Sequence, residues 1–465
     1  MKDWNAWLKE LSNVRPSQRQ LHWFDTEFYA FIHFGPNTYT NREWGDGTED
    51  PSIFNPTELD CDQWVSAIKK AGMKGLILTA KHHDGFCLWP SAYTEHSVKN
   101  SPKQNGQVLD VVRKASEACR RGGIKFGFYL SPWDRNSSLY GTEAYNDYYC
   151  HQLEELLTGY GDIFCVWFDG ACGEGPNGKK QVYDFPRYIE LIRKLQPEAV
   201  IFNDHGPDIR WIGNESGQSR HAEWAVLPSE LCFHCEVQTG TGPMLQGDLS
   251  YMYNPDPDIG ALHNLLYSKG LVFCPAETDM SIRPGWFYHP DQEPHSLQRL
   301  FDTYLRTVGG NSCFNLNIPP APSGLLDEKD VQRLEELGDL IRSSFSENAA
   351  ARARVTETRI SDTQKNIDLY WDEPQDIVFV SLMEDISQGQ RTENFQLRCA
   401  LRDNQMSVVY QGTTIGHKKI CPLRKLRTAR TTDEQFSSLR TDHLQIAITA
   451  SRGETVLLDP EIWIR

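Results

Sequence analysis

Between residues 28 and 320 the chain alternates short runs rich in β-branched and aromatic residues with longer stretches of helical period, and this rhythm restricts the fold more than any other feature. Strands are predicted at "FYAFIHFG" (28–35), "GLILTAKHH" (75–83), "KFGFYLSP" (125–132), "IFCVWFDG" (163–170), "AVIFND" (199–204), "LVFCPAE" (271–277) and "CFNLNIPP" (313–320). Helices are predicted at 61–72, 108–123, 144–161 and 185–196, several stopping at Gly as a left-handed C-terminal cap prefers. Strand-then-helix repetition implies a parallel sheet, and near-continuous apolar strands imply cover on both of its faces. An eighth strand hidden around 220–250 would close the seven visible ones into a (β/α)8-like barrel. The runner-up, an open doubly wound sheet, needs a Gly-rich phosphate fingerprint after its first strand, and "HFGPNTYTNREWGDG" is not one.

After the charged helical stretch 325–345 the texture changes. Short alternating runs such as "NIDLYW", "DIVFVSLM" and "LQIAITA" are joined by polar turns, the pattern of an antiparallel β-sandwich. The expected division is therefore a catalytic barrel over 1–347 and a C-terminal sandwich over 348–465, a total of 465 residues being too many for one ordinary core.

Bulk properties narrow the partners. A formal charge of −16 argues against nucleic acid or an anionic membrane surface, and favours a neutral ligand of modest size. No apolar run approaches the ~20 residues of a membrane span, and the first twenty residues lack the apolar core of a signal peptide. That leaves a cytoplasmic protein, or an exported one whose leader precedes this sequence; oligomeric state is not legible. The 12 cysteines are too scattered for a disulfide scaffold, and Cys232-Phe-His-Cys235 has no second pair nearby to complete a zinc site, so free thiols are expected.

Parallel barrels carry their chemistry at the C-terminal ends of strands. Read in order, those ends hold His33; His82 and His83; Tyr129, Trp133 and Asp134; Trp167 and Asp169; then Asn203, Asp204 and His205. Singly, each reads as a packing histidine or a helix-capping aspartate. Converging on one rim, they read as a binding site. Side chains alternate along a strand, so Trp167 and Asp169 share one face while Val166 and Phe168 take the other. Two chemistries could use such a rim. A divalent metal could take imidazole and carboxylate ligands, but adjacent His82 and His83 cannot both face one ion from a regular strand. A sugar pocket would use the same groups for hydroxyls, flat aromatic faces for C–H surfaces and paired carboxylates for acid, base and nucleophile, with no cofactor and no metal.

The segments "EFYAFIHFG", "EWGDG", "KHHDGF", "FYLSPWD", "VWFDG", "WIGNESG" and "GGNSCFNLNIPP", in this order, resemble the signature segments of glycoside hydrolase family 29, the retaining α-L-fucosidases. The resemblance spans roughly residues 15–345 and implies a (β/α)8-like catalytic barrel with a C-terminal β-sandwich. Residue by residue, it implies Asp169 as nucleophile and His33, Glu43, Trp44, His82, His83, Tyr129 and Trp167 as the wall of a fucose subsite, with Trp286 as a further aromatic contact. The implied substrate is a fucosylated oligosaccharide or glycoconjugate.

The second carboxyl of a retaining pair is assigned to Glu215, on a Gly-flanked loop. Taken alone it reads as a solvated loop carboxylate; "GNES" resembles the acid/base region of the branch that cleaves α-1,3 and α-1,4 fucosyl links. Glu43, Glu174 and above all Glu223 are the rivals. The alternatives in function are a fucosidase of broader linkage specificity, a metal-dependent barrel hydrolase, and a sugar-binding protein without catalysis.

Overall fold

The computed structural model describes every residue except 1–6, 8–9, 204–205, 230–258, 266–267, 269, 401–405, 424–437 and 465. Eight parallel strands close on themselves: β1 (Phe28–Ile32), β2 (Gly75–Lys81), β3 (Lys125–Leu130), β4 (Cys165–Trp167), β5 (Val200–Asn203), β6 (Ile209–Trp211), β7 (Ala276–Ser281) and β8 (Cys313–Asn317). Neighbours in space are neighbours in sequence, and β8 returns to β1 with Phe314 beside Phe28. Alternation divides the strand residues between two cores. Tyr29, Phe31, Ile77, Tyr129, Cys165 and Trp167 pack together inside the barrel, whereas Phe28, Ala30, Leu76, Leu78, Phe128 and Val166 meet the surrounding helices.

The outer helices follow the apolar periodicity: α1 (Cys61–Lys70), α2 (Val111–Gly122), α3 (Ala144–Gly159), α4 (Phe185–Leu195), α5 (Leu297–Thr307) and α6 (Glu328–Ser344). Asp60 starts α1 by accepting from the Asp62 and Gln63 amides, and Gly123 ends α2 at φ 68°, a conformation a residue with Cβ takes at a cost.

Two strand expectations need correction. The eighth barrel strand is β6, not a segment of 220–250. Within that window Val226–Pro228 does form a strand, but it pairs antiparallel with Leu271–Phe273 outside the barrel, and 230–250 lies outside the described residues. The parallel pairing of β5 with β6, Phe202 opposite Ile209, is connected by residues 204–208 alone, so no helical period marked the crossover. The run 271–277 is divided as well: its first residues belong to that two-stranded sheet, and the barrel strand begins at Ala276. Pro275 separates the two because it has no N–H for a ladder.

The C-terminal part is an antiparallel sandwich of β9 (Arg354–Ser361), β10 (Gln364–Leu382), β11 (Thr392–Ala400), β12 (Met406–Gly412), β13 (Lys419–Pro422), β14 (Leu439–Ser451) and β15 (Glu461–Ile464). β10 pairs with β9 as far as Tyr370, with β14 between Lys365 and Ile377, and with β13 and β15 over its last residues, Ile377–Leu382; its register against β14 slips between Tyr370 and Gln375, around Pro374. A strand that breaks register there can serve both layers, and Ile367, Leu369, Phe395, Leu397, Ile446 and Ile462 fill the space between them. Against the barrel, Lys419 Nζ donates to the His221 carbonyl at 2.9 Å and the Ala225 amide donates to Gln390 Oε1 at 2.8 Å. These bonds brace the segment that follows the Glu215 loop.

Candidate active site

At the C-terminal ends of the barrel strands lies a cavity of about 150 Å³. Asp169, Glu215, His33, Glu43, Trp44, His82, His83, Tyr129, Trp167 and Trp286 all line it, together with Phe31, Ala171 and Asp279. Drug-sized ligands occupy pockets of ~300–1,000 Å³, so this space suits a single sugar ring rather than an extended chain. A groove of about 1140 Å³ lies at the other end of the barrel, against Lys125, Ile163 and Phe164 at the starts of β3 and β4. Barrel chemistry belongs to the opposite end.

Asp169 stands two residues beyond β4, where the chain leaves the sheet. Its Oδ2 accepts from the Tyr129 hydroxyl at 3.0 Å and its Oδ1 from the Ala171 amide at 2.7 Å; His83 Nε2 is 3.9 Å from Oδ2. Burial, then the Asp169 charge, hold the Tyr129 phenol far above its ordinary pKa, so it remains a donor. Trp167 is fixed from two sides, its Nε1 donating to Glu277 at 2.8 Å and its ring stacked on Phe202 at 4.0 Å.

The three histidines are neutral. Desolvation lowers His33 to about 3, drives His82 well below its ordinary value and lowers His83 despite the attraction of Asp169. His33 Nδ1 meets Asn317 Oδ1 at 2.8 Å, which leaves Nε2 as an acceptor, and His83 Nδ1 meets Ser131 Oγ at 2.8 Å. His82 Nδ1 is buried without a hydrogen-bond partner. A buried polar atom left in that state is most cheaply satisfied by a ligand hydroxyl. Both His82 and His83 line the cavity because β2 stops at Lys81, so strict alternation no longer governs them. Among the described residues, no group of three or more His, Cys, Asp or Glu side chains is arranged to hold a metal ion.

Glu215 sits on the loop after β6, pinned where Ser216 bridges to Met280. It is exposed as a residue, but its carboxyl leans inward and its Oε2 accepts from Trp286 Nε1 at 3.1 Å. Burial raises its pKa most, with the charges of Asp169 and Glu43 adding to the rise and the indole bond opposing it. Glu43, expected to bind ring hydroxyls, spends its oxygens on the loop that carries Trp286: Oε2 accepts from the Trp286 amide at 2.9 Å, and Oε1 lies 2.5 Å from His289 Nε2. Trp44 is 57% exposed and edges against His83 and Trp133, a flat apolar face at the mouth.

The rival carboxylates stand elsewhere. Glu223 is fully buried between Arg210, which it contacts closely, and Arg220 at 3.3 Å. Glu223→Ala removes the anion from between two buried guanidiniums and is expected to lower stability by about 3–5 kcal/mol, read by chemical denaturation. Glu174 is exposed, its carbonyl accepting from Trp133 Nε1 at 3.0 Å. Of the other strand-end residues, Asp134 is buried against Lys81 at 3.2 Å and Asn203 Nδ2 donates to the Phe168 carbonyl at 3.4 Å; Asp204, His205, Cys232 and Cys235 lie outside the described residues.

Sequence reasoning missed Asp279. The signal was present in "AETDMS", where alternation puts Glu277 and Asp279 on one face and Ala276, Thr278 and Met280 on the other. Ending the strand at Glu277 hid it.

A family model described as alpha-L-fucosidase matches residues 10–223 and 252–344. Alpha-L-fucosidase 1 of Arabidopsis thaliana is 40% identical over 457 residues, covering 92% of this chain and 86% of that protein. Among solved structures, a putative alpha-L-fucosidase from Bacteroides ovatus is 40% identical with a TM-score of 0.86, covering 98% of this chain and 75% of that one. A Ruminococcus gnavus GH29 fucosidase in complex with fucose is 26% identical with a TM-score of 0.80, over 97% of this chain and 95% of the other.

Proposed function

Because the chain belongs to the α-L-fucosidase family, glycoside hydrolase 29, we propose that it releases L-fucose from α-1,3/1,4-fucosylated oligosaccharides with retention of anomeric configuration. One observation carries the mechanism: of the four carboxyls lining one sugar-sized cavity, Asp169 and Glu215 stand in unlike environments. Asp169 receives two hydrogen bonds from neutral donors and is partly open to solvent, while Glu215 is driven toward its protonated form. Divergent environments of this kind assign nucleophile and acid.

Asp169 attacks the anomeric carbon as the glycosidic bond breaks, forming a fucosyl ester, and Glu215 delivers its proton to the leaving sugar oxygen. Esterification removes the Asp169 charge, and with it one cause of the raised Glu215 pKa. The glutamate then takes a proton from water, which opens the ester and restores both carboxyls. Neutral imidazoles of His33, His82 and His83 bind ring hydroxyls without placing positive charge beside the oxocarbenium-like centre. Phe31 and Trp286, whose rings lie 6.3 Å apart, form an apolar corner for the C5 methyl, where a hydroxymethyl would be crowded and unpaired.

The linkage preference rests on the likeness of "WIGNESG" to the α-1,3/4 branch and on the exposed Trp44 face at the mouth. A branched α-1,3- or α-1,4-fucosylated oligosaccharide is expected to be cleaved with a kcat/KM at least about tenfold above α-1,2- and α-1,6-linked counterparts. Proton NMR of the first turnovers should show α-L-fucose forming before mutarotation. Initial β-L-fucose would exclude the covalent route, and equal rates on all linkages would favour the broader fucosidase.

A further inference from the structure

We propose that Asp279 is a further sugar-contacting residue, a buried carboxyl on β7 that is anchored through Oδ1 and donates a hydrogen bond from Oδ2 to a hydroxyl of the bound monosaccharide. The assignment rests on the reading of this cavity as a fucose subsite.

Glu277 and Asp279 follow one another on the inner face of β7, yet their surroundings differ. Both Glu277 oxygens are committed to protein donors: Oε2 to the Tyr29 hydroxyl, Oε1 to Trp167 Nε1 at 2.8 Å and to Asn315 Nδ2 at 3.1 Å. Asp279 lies about 6.6 Å farther along the strand, toward the rim, and lines the cavity while remaining only 3% exposed. Its Oδ1 accepts from Trp211 Nε1 at 3.1 Å. That bond, with one from the residue's own backbone amide, fixes the plane of the carboxyl, and among the described residues no other side chain donates to it.

The charged groups facing Asp279 are Glu277 on its own strand and Glu215 on the loop after β6; among the described residues no Arg, Lys or His forms an ion pair with it. Burial first, then those two like charges, raise its pKa well above the ordinary carboxyl range, against the opposing effects of the indole bond and of its own backbone amide. A protonated Asp has one O–H to give, which no carboxylate has. A hydroxyl donor buried this deeply rewards a ligand oxygen at that point and penalises a ligand lacking one.

Asparagine reproduces the neutral acid: its oxygen can keep the Trp211 bond and its amide can donate to the sugar. L-Fucose affinity, measured by calorimetry on the whole protein, is therefore expected to stay within about threefold in Asp279→Asn and to fall about tenfold or more in Asp279→Ala. The alkaline limb of kcat/KM should not move in Asp279→Asn, since no charge is removed from beside Glu215. Trp211→Phe, which deletes the anchor but keeps the carboxyl, should lose less affinity than Asp279→Ala. Wild-type affinity in Asp279→Ala, a shift of the alkaline limb to lower pH in Asp279→Asn, or equal losses in Asp279→Ala and Trp211→Phe would each overturn the assignment. If Asp279→Ala does not fold, the affinity and pH limb of Asp279→Asn decide alone. Failure of the unsubstituted protein to bind L-fucose would instead overturn the subsite reading, and this assignment with it.

Discussion

Asp169→Ala and Asp169→Asn are expected to cut kcat on a fucosylated oligosaccharide by on the order of 10⁴-fold or more, while thermal unfolding stays close to that of the unsubstituted protein. The two halves of this expectation have separate physical grounds. Loss of the nucleophile removes the fucosyl ester itself, so binding and acid catalysis are left to act on a bond that water must attack unaided. Stability is spared because the Asp169 side chain is 26% exposed at the rim, its structural bonds being one each from Tyr129 and Ala171. Such bonds contribute about 1 kcal/mol apiece, and Asn can keep one of them. Removing its charge also removes a cause of the raised Glu215 pKa. Turnover above about 1% of the original, with an unchanged melting profile, would take the nucleophile's role away from this residue.

The same rim shows what the sequence can and cannot carry. Tyr129 and Trp167 were legible because they stand within apolar strands, where alternation fixes the face of each side chain, and His33 and Asp169 because they follow such strands directly, at the rim where polar groups cluster. Glu215 was not legible in that way: it lies on a loop, and no periodicity relates it to Asp169, so its assignment depended on resemblance. Its neighbour β6 was missed for a related reason, since the five residues 204–208 that link it to β5 are too few to carry a 3.6-residue signature. Glu43 shows a different limit. Its place at the cavity was expected, but a carboxylate that holds the Trp286 amide and meets the His289 ring cannot be told from one held ready for a hydroxyl until the distant loop is seen beside it. Asp279 needed only one more residue of strand.

Glu215→Ala is expected to lower kcat/KM by about 10²–10⁴-fold on natural oligosaccharides, whose leaving sugars need protonation, and far less on an activated aryl fucoside. With that aryl substrate the fucosyl ester should form and then persist, because no base remains to activate water. Azide, which attacks without general-base help, should restore turnover and yield fucosyl azide. The pH profile supplies an independent reading. In the unsubstituted protein kcat/KM requires protonated Glu215, so activity falls as pH rises through its pKa, and a raised pKa carries that fall to higher pH than a free glutamate would. Glu43→Gln removes one of the charges responsible, so the alkaline limb should move to lower pH, whereas in Glu215→Ala the limb should vanish on the aryl substrate. The acid would have to be sought elsewhere if the limb survived in Glu215→Ala and azide had no effect. Glu223 is poorly suited to inherit the role: it is held fully buried between Arg210 and Arg220 and does not line the cavity.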